Sequence, residues 1–148
     1  MEVSIRRAAI EDIQELTPLF DAYRVFYKQE SNLEGARFFL EARIHSKEAV
    51  IFLAYWDNKA VGFTQLYPSY SSVSLQSVLI LNDLYVDQSY RKKGIGEALL
   101  DRAKEFCIEK KCKGLALETA IDNPAQHLYE RLNWKKDLHC FHYFWAAE

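Results

Sequence analysis

The residues with the clearest chemical content are Arg91-Lys92-Lys93-Gly94-Ile95-Gly96. They fall between an apolar run, Leu81-Asn82-Asp83-Leu84-Tyr85-Val86, and a segment of helical period that starts at Ile95. The first N–H groups of a helix have no intrahelical acceptor and carry partial positive charge, so a helix start binds anions. Glycine admits positive φ and lets a backbone approach a ligand closely. Three adjacent cations add charge at the same mouth. Strand, basic glycine turn and helix together read as a cradle for a diphosphate. A dinucleotide fingerprint is excluded, because Leu99 stands where GxGxxG needs its third glycine. A GxxxxGK[ST] loop is absent. Taken by itself, the turn also reads as a solvated basic start to a helix.

The elements that hold this turn follow from periodicity. Val3 to Arg7 reads as a strand. From Ile10, apolar residues recur at helical spacing through Ile13, Leu16, Leu19, Phe20, Tyr23, Phe26 and Tyr27, with Pro18 inside the run as a kink or a break. Leu33 to Ile44 is a second helical pattern. Val50 to Trp56 and Ala60 to Leu66 flank the turn signal Asp57-Asn58-Lys59 and read as a hairpin. Tyr67 to Ser77, Ser-rich with Pro68, is a loop or a ragged strand edge. Val78 to Val86 reads as a central strand covered on both faces.

The helix after the glycine turn runs to about Lys111, with Ile95, Leu99, Ala103 and Phe106 on its buried stripe and Gly114 as a stop. Leu115 to Glu118 is a strand. Pro124 opens a short helix that ends near Leu132, with Asn133 suited to a left-handed cap. His139 to Trp145 reads as a closing strand. The order β-α-α-β-β-β-α-β-α-β gives an α/β fold, a mixed sheet with helices on both faces, as one domain over residues 1–148.

The spacing Arg91-x-x-Gly94-x-Gly96 between an apolar strand and an amphipathic helix resembles the acetyl-CoA signature of the GNAT N-acetyltransferases. Ile5-Arg6-x-Ala8 with Asp12 and Leu16 is similar to their opening. Leu117-Glu118-Thr119, followed by Asn123, Ala125 and Leu128-Tyr129-Glu130, is similar to their next strand and helix. The resemblance covers essentially the whole chain in order. Asn82-Asp83-Leu84-Tyr85-Val86 and Ala125-Gln126-x-Leu128-Tyr129 are similar to small histone-acetyltransferase-like and spermidine/spermine acetyltransferase-like members.

The resemblance implies a GNAT fold with a mostly antiparallel central sheet, and acetyl-CoA as cofactor. Amides from Arg91, Lys92, Lys93, Gly94, Ile95, Gly96 and Glu97 would hold the diphosphate. Leu84, Tyr85 and Val86 would pair with the pantetheine arm, and an amide near Tyr85 would face the thioester oxygen. A gap-free match puts Asp122 in the family's Asn position, with Asn123 one residue later; one of them takes the pantetheine contact. Tyr129 would sit by the sulfur.

Direct transfer to an amine requires a proton to leave an ammonium whose pKa is about 10.4, which costs roughly 4–5 kcal/mol at neutral pH. A tyrosine stays protonated there, so Tyr129 is the candidate general acid. Where amine-acetylating relatives often carry a Glu base, this chain has Asn82, which cannot take a proton. Asp83 and Glu118 are the remaining acidic candidates, each also readable as structural. Tyr23, Phe26, Tyr27 and Glu30 end the first helix where relatives form the acceptor wall; for Tyr23 and Phe26 simple packing competes. Tyr27, Glu30, Tyr67, Tyr70 and Asp83 are the acceptor-side candidates, and the acceptor is a polyamine, a small amino compound, or a protein lysine or N-terminus.

The balance of 19 basic against 21 acidic residues advertises no nucleic-acid face. Cys107, Cys112 and Cys140 form no CxxC pair, so a disulfide framework or zinc ribbon is not expected. His139 and His142 have odd strand spacing and suit no shared metal. The start of the chain lacks an apolar run and no stretch reaches the ~18 apolar residues of a membrane span, so a cytoplasmic protein is expected. The aromatic row Phe141, Tyr143, Phe144 and Trp145 would leave one face uncovered, which predicts a homodimer. A rival reading is a catalytically silent acyl-CoA-binding module, favoured by Asn82 and opposed by Tyr129.

Overall fold

The computed structural model describes residues 3–147. The chain divides into two compact units, one reaching to Glu118 and one from Thr119. The first contains β1 (Val3–Arg7), α1 (Ile13–Phe26), α2 (Leu33–His45), β2 (Val50–Trp56), β3 (Lys59–Ser71), β4 (Gln76–Val86), α3 (Ile95–Glu109) and β5 (Leu115–Ala116). Its five strands form one sheet in the order β1-β2-β3-β4-β5, antiparallel except for the β4–β5 pair.

Side-chain alternation sorts the sheet into two packed faces. Ile51, Leu53 and Tyr55 of β2 and Phe63 of β3 join Leu16, Leu19 and Phe20 of α1 and Ala36 and Leu40 of α2 in one core. Phe52, between them in sequence, points the other way and meets Phe106 of α3 at 5.8 Å between ring centroids. Full burial of such a side chain contributes about 1.5–3 kcal/mol. Helices therefore cover both faces, as the pattern requires.

Pro18 does not break α1. It lies on the exposed face, where the carbonyl that loses its partner can be hydrated. Asp12 pins the entry to α1: Arg6 Nη2 donates to Asp12 Oδ1 at 2.8 Å and the Ala9 N–H to Oδ2 at 2.8 Å. β3 continues through the Ser-rich stretch to Ser71, because β4 offers it a ladder partner as far as Gln76. β4 is not covered throughout: Leu79 and Leu81 are buried while Ile80 and Asn82 are exposed. β5 has two residues rather than the four expected. α3 ends at Glu109, and Lys111 takes the left-handed conformation with φ 56°, ahead of the expected stop at Gly114.

The second unit holds α4 (Ala125–Arg131). Asn133 closes it with φ 72°, and the Trp134 N–H returns to the Tyr129 carbonyl at 3.0 Å. The expected closing strand is corrected: residues 139–145 carry no strand. Its own unit offers no strand to ladder with, and Phe141, Tyr143, Phe144 and Trp145 are 85–92% exposed. Alternation alone does not make a strand when the backbone groups lack a partner.

Candidate functional site

The basic glycine turn folds as the start of α3. Gly94 is its N-cap at φ 81°, with no side-chain cap on the first-turn amides. A Cβ at Gly94 would meet nothing within 4 Å, so glycine is required there for backbone conformation rather than for space. Lys92 is also left-handed, at φ 63°. Ahead of the turn, Asp87 Oδ1 accepts from the Ser89 N–H at 2.9 Å, and the Asp87 N–H reaches the Val61 carbonyl at 2.7 Å.

Two of the three cations, Arg91 and Lys93, are turned onto aromatic rings. Arg91 lies 5.5 Å from the Phe26 ring and 5.6 Å from that of Tyr85, while its Nε donates to the Val86 carbonyl at 2.9 Å. Lys93 Nζ lies 5.4 Å from the Trp56 ring. Such contacts are worth about 0.5–1 kcal/mol at exposed sites. The turn's offer to an anion thus comes from backbone N–H groups together with the exposed Lys92. Ile95, Gly96 and Glu97 form the first turn of α3, where the Glu97 carboxylate suits the helix dipole. This uncapped, glycine-started helix end fits a diphosphate.

A second feature lies on β4. Leu66 pairs with Leu81, but Gln65 pairs with Asp83, so Asn82 is an extra residue, a β-bulge. Residues paired across a ladder share a face. Leu81 therefore faces as Leu66 does, whereas Asp83 shares a face with Gln65, and Tyr85 with Phe63. Asp83 and Tyr85 consequently face α1 and α2, and Tyr85 packs against that core. Without the bulge, Leu81 and Asp83 would point the same way.

Asp83 is 4% exposed. Gln65 Nε2 donates to its Oδ2 at 2.5 Å and Asn82 Nδ2 to its Oδ1 at 3.0 Å, while Tyr23 Oη, which donates to the Asn82 carbonyl at 3.3 Å, also favours the charged carboxylate. Burial pushes the carboxyl above its usual range, and the three donors pull it back part of the way. Nearby Tyr67 is pushed up to about 12 by burial and by the Asp83 charge, with Arg43 opposing. Tyr67 keeps its proton at neutral pH.

The acceptor-side candidates divide. Tyr27 stacks edge-on with Tyr23 at 5.0 Å, and Tyr23 in turn meets Tyr85 at 6.4 Å. This aromatic wall runs from Asp83 to the exposed end of α1. Glu30 follows, its carbonyl accepting from Arg24 Nη1 at 3.2 Å. Tyr70 stands five residues beyond Gln65 on β3, about 17 Å along the strand, and is 79% exposed. It is not brought to Asp83. Glu118 is exposed and lies two residues past β5.

Within the second unit, Tyr129 is 9% exposed and its ring lies 5.9 Å from that of Trp134. Asn123 Oδ1 accepts from the Ala125 N–H at 2.9 Å and so shapes the start of α4; Asp122 is exposed. Among the described residues, no group of three or more His, Cys, Asp or Glu is placed to hold a metal.

Sequence reasoning missed Gln65. The available signal was one long polar side chain within an otherwise buried apolar strand. For Tyr23 and Phe26 it set simple packing against an acceptor-wall role; Tyr23 Oη donates to the Asn82 carbonyl at 3.3 Å beside the carboxylate, and Phe26 carries Arg91.

Comparison with known proteins points the same way. Residues 13–134 match the acetyltransferase (GNAT) family. The chain is 43% identical over 142 residues, 95% of each chain, to YhfO of Bacillus subtilis (strain 168), named an uncharacterized N-acetyltransferase. A probable acetyltransferase of Haemophilus influenzae is 34% identical over 132 residues, covering 80% of this chain and 90% of that one. A crystal structure described as a probable acetyltransferase superposes with a TM-score of 0.92 at 39% identity, over 98% of both chains.

Proposed function

This chain belongs to the acetyltransferase (GNAT) family and is an N-acetyltransferase, and on that premise we propose that it transfers an acetyl group from acetyl-CoA to a primary amine by direct attack in a ternary complex. The acceptor is a polyamine, a small amino compound, or a protein lysine or N-terminus. Acetyl-CoA, when bound, supplies the acyl group as an activated thioester. In this reading the backbone from Arg91 to Glu97 holds the diphosphate, Leu84 to Val86 line the pantetheine arm, and Asp122 or Asn123 takes a pantetheine contact.

The observation that carries the reading is Asp83. It is a buried carboxylate, turned by the bulge onto the aromatic wall of α1, on the strand that leads directly into the uncapped start of α3. An ordinary carboxylate, with a pKa of about 3.9, is a poor base for an ammonium near 10.4. Burial narrows that gap. Asp83 therefore takes the acceptor's proton, while Tyr129 Oη gives one to the departing thiolate. Tyr27 and Glu30 line the entry for the acceptor.

The test is thiol release from acetyl-CoA with polyamines, free amino acids, lysine-bearing peptides and an amine-free blank. Release above the blank with one class is expected and identifies the acceptor class. An Asp83→Ala variant with unchanged turnover refutes the base.

Two further parts of the proposal concern the whole chain, taken as one domain. The exposed aromatic row from Phe141 to Trp145 supports a homodimer. A monomer mass by solution scattering at micromolar concentration would count against it. No helix among the described residues is long and apolar enough to cross a membrane, and a cytoplasmic location belongs to the same reading.

A further inference from the structure

We propose that Gln65 is the positioning residue of this site: it holds Asp83 Oδ2 from the core side, so that the acceptor's proton is exchanged at Oδ1. The inference rests on the reading of Asp83 as the base.

Gln65 is fully buried in β3, between Thr64 and Leu66, which are equally buried. Burying an amide without partners costs about 1–3 kcal/mol. Here only half of that amide is satisfied. Nε2 donates to Asp83 Oδ2 at 2.5 Å, whereas the buried Oε1 has no hydrogen-bond partner among the described residues. A leucine or methionine would fill similar space with no orphaned carbonyl. As a packing residue, then, Gln65 is a poor choice. Its one strong polar contact is with the carboxylate.

The two oxygens of Asp83 are held unequally. Oδ2 is gripped from within the sheet by a side chain closed off from solvent. Oδ1 is held at 3.0 Å by Asn82, the bulge residue, whose own side chain is exposed rather than closed into the sheet. Fixing one oxygen orients the carboxyl plane and leaves the other to exchange protons. The groups facing Asp83 are Tyr23 from α1, Gln65 and Tyr67 from β3 and Asn82 from its own strand, with Arg43 of α2 acting on Tyr67. Tyr67 keeps its proton, and neither amide ionises.

The test follows the Asp83 side-chain carbon by carbon-13 NMR across pH, in the wild type and in Gln65→Met, which keeps chain length and removes the donor. Losing a hydrogen bond to the charged form should raise the Asp83 midpoint by about one to two pH units. Gln65→Leu serves equally if the methionine variant does not fold. In the wild type itself, the Gln65 side-chain N–H resonance should move with the Asp83 midpoint and be fixed in Asp83→Asn. An unchanged midpoint in a folded variant, or a Gln65 resonance indifferent to Asp83, overturns the proposal. Because these readouts need no turnover, they stand apart from the functional reading. A midpoint that moves while the pH–rate profile does not would support the role of Gln65 and refute Asp83 as the base.

Discussion

Replacing Gly94 tests whether the start of α3 is set by backbone conformation. The residue sits at φ 81° with open space where a Cβ would go, so substitution brings strain without a clash. An L-residue in the left-handed region costs roughly 1–2 kcal/mol, and a β-branched one more. Stiffening the unfolded chain returns about 0.4–1 kcal/mol. Gly94→Val should therefore lose about 1 kcal/mol of stability if the turn keeps its shape. If the turn relaxes instead, the strain of 1–2 kcal/mol reappears as a roughly 5- to 30-fold weaker CoA affinity. Gly94→Asn should lose less on both counts, because Asn tolerates the left-handed region. Thermal unfolding and a calorimetric CoA titration on the same samples read both quantities. A valine variant as stable and as tight-binding as the wild type would refute the reasoning.

Tyr129→Phe should lower kcat by about a hundredfold or more while CoA affinity stays within a few-fold; a rate equal to the wild type in single-turnover measurements dismisses Tyr129 as the acid. The Asp83 carboxyl titrates above its free value of 3.8 in the fold, so the folded state holds that proton more tightly, and stability falls as pH rises through the folded midpoint. Asp83→Asn should accordingly raise Tm at pH 7 while abolishing turnover, its advantage shrinking as pH falls through the folded midpoint and gone below 3.8; a lower Tm at pH 7 contradicts the sign. At Gly62 a Cβ would lie 2.8 Å from the Tyr85 carbonyl, so Gly62→Ala should destabilise by about 1–3 kcal/mol and shift the Tyr85 and Val86 amide resonances.

Elements whose evidence is local were legible. Val50–Trp56 is continuously apolar and bounded by turn residues, and its limits match the structure. Asn133 was readable as a left-handed cap because few residues accept that conformation. Features that depend on a distant partner were not. Tyr67 to Ser71 looks like a loop until β4 is laid beside it, and residues 139–145 look like a strand although the described residues of their unit include no strand to ladder with. The same holds for the site. The turn at Arg91 to Gly96 declares itself by composition, yet the seat of Arg91 against Phe26 depends on a helix some 65 positions earlier. The face taken by Asp83 depends on counting both strands across the bulge, which no single segment reveals.

The bulge at Asn82 has a consequence for how this protein can change. It works as a phase shift within one strand: residues up to Leu81 keep time with the α3 core, and residues from Asp83 onward keep time with the α1 wall. Deleting Asn82 would leave the faces as they are, with Leu81 and Asp83 as ordinary alternating neighbours and the Leu66–Leu81 and Gln65–Asp83 pairs kept, whereas removing a regular strand residue such as Leu84 would invert everything after it. Point substitutions before and after the bulge fall under separate constraints, packing on one side and chemistry on the other. A change in length anywhere but at the bulge falls under both at once, so the rest of this strand can drift in residue identity far more readily than in residue number.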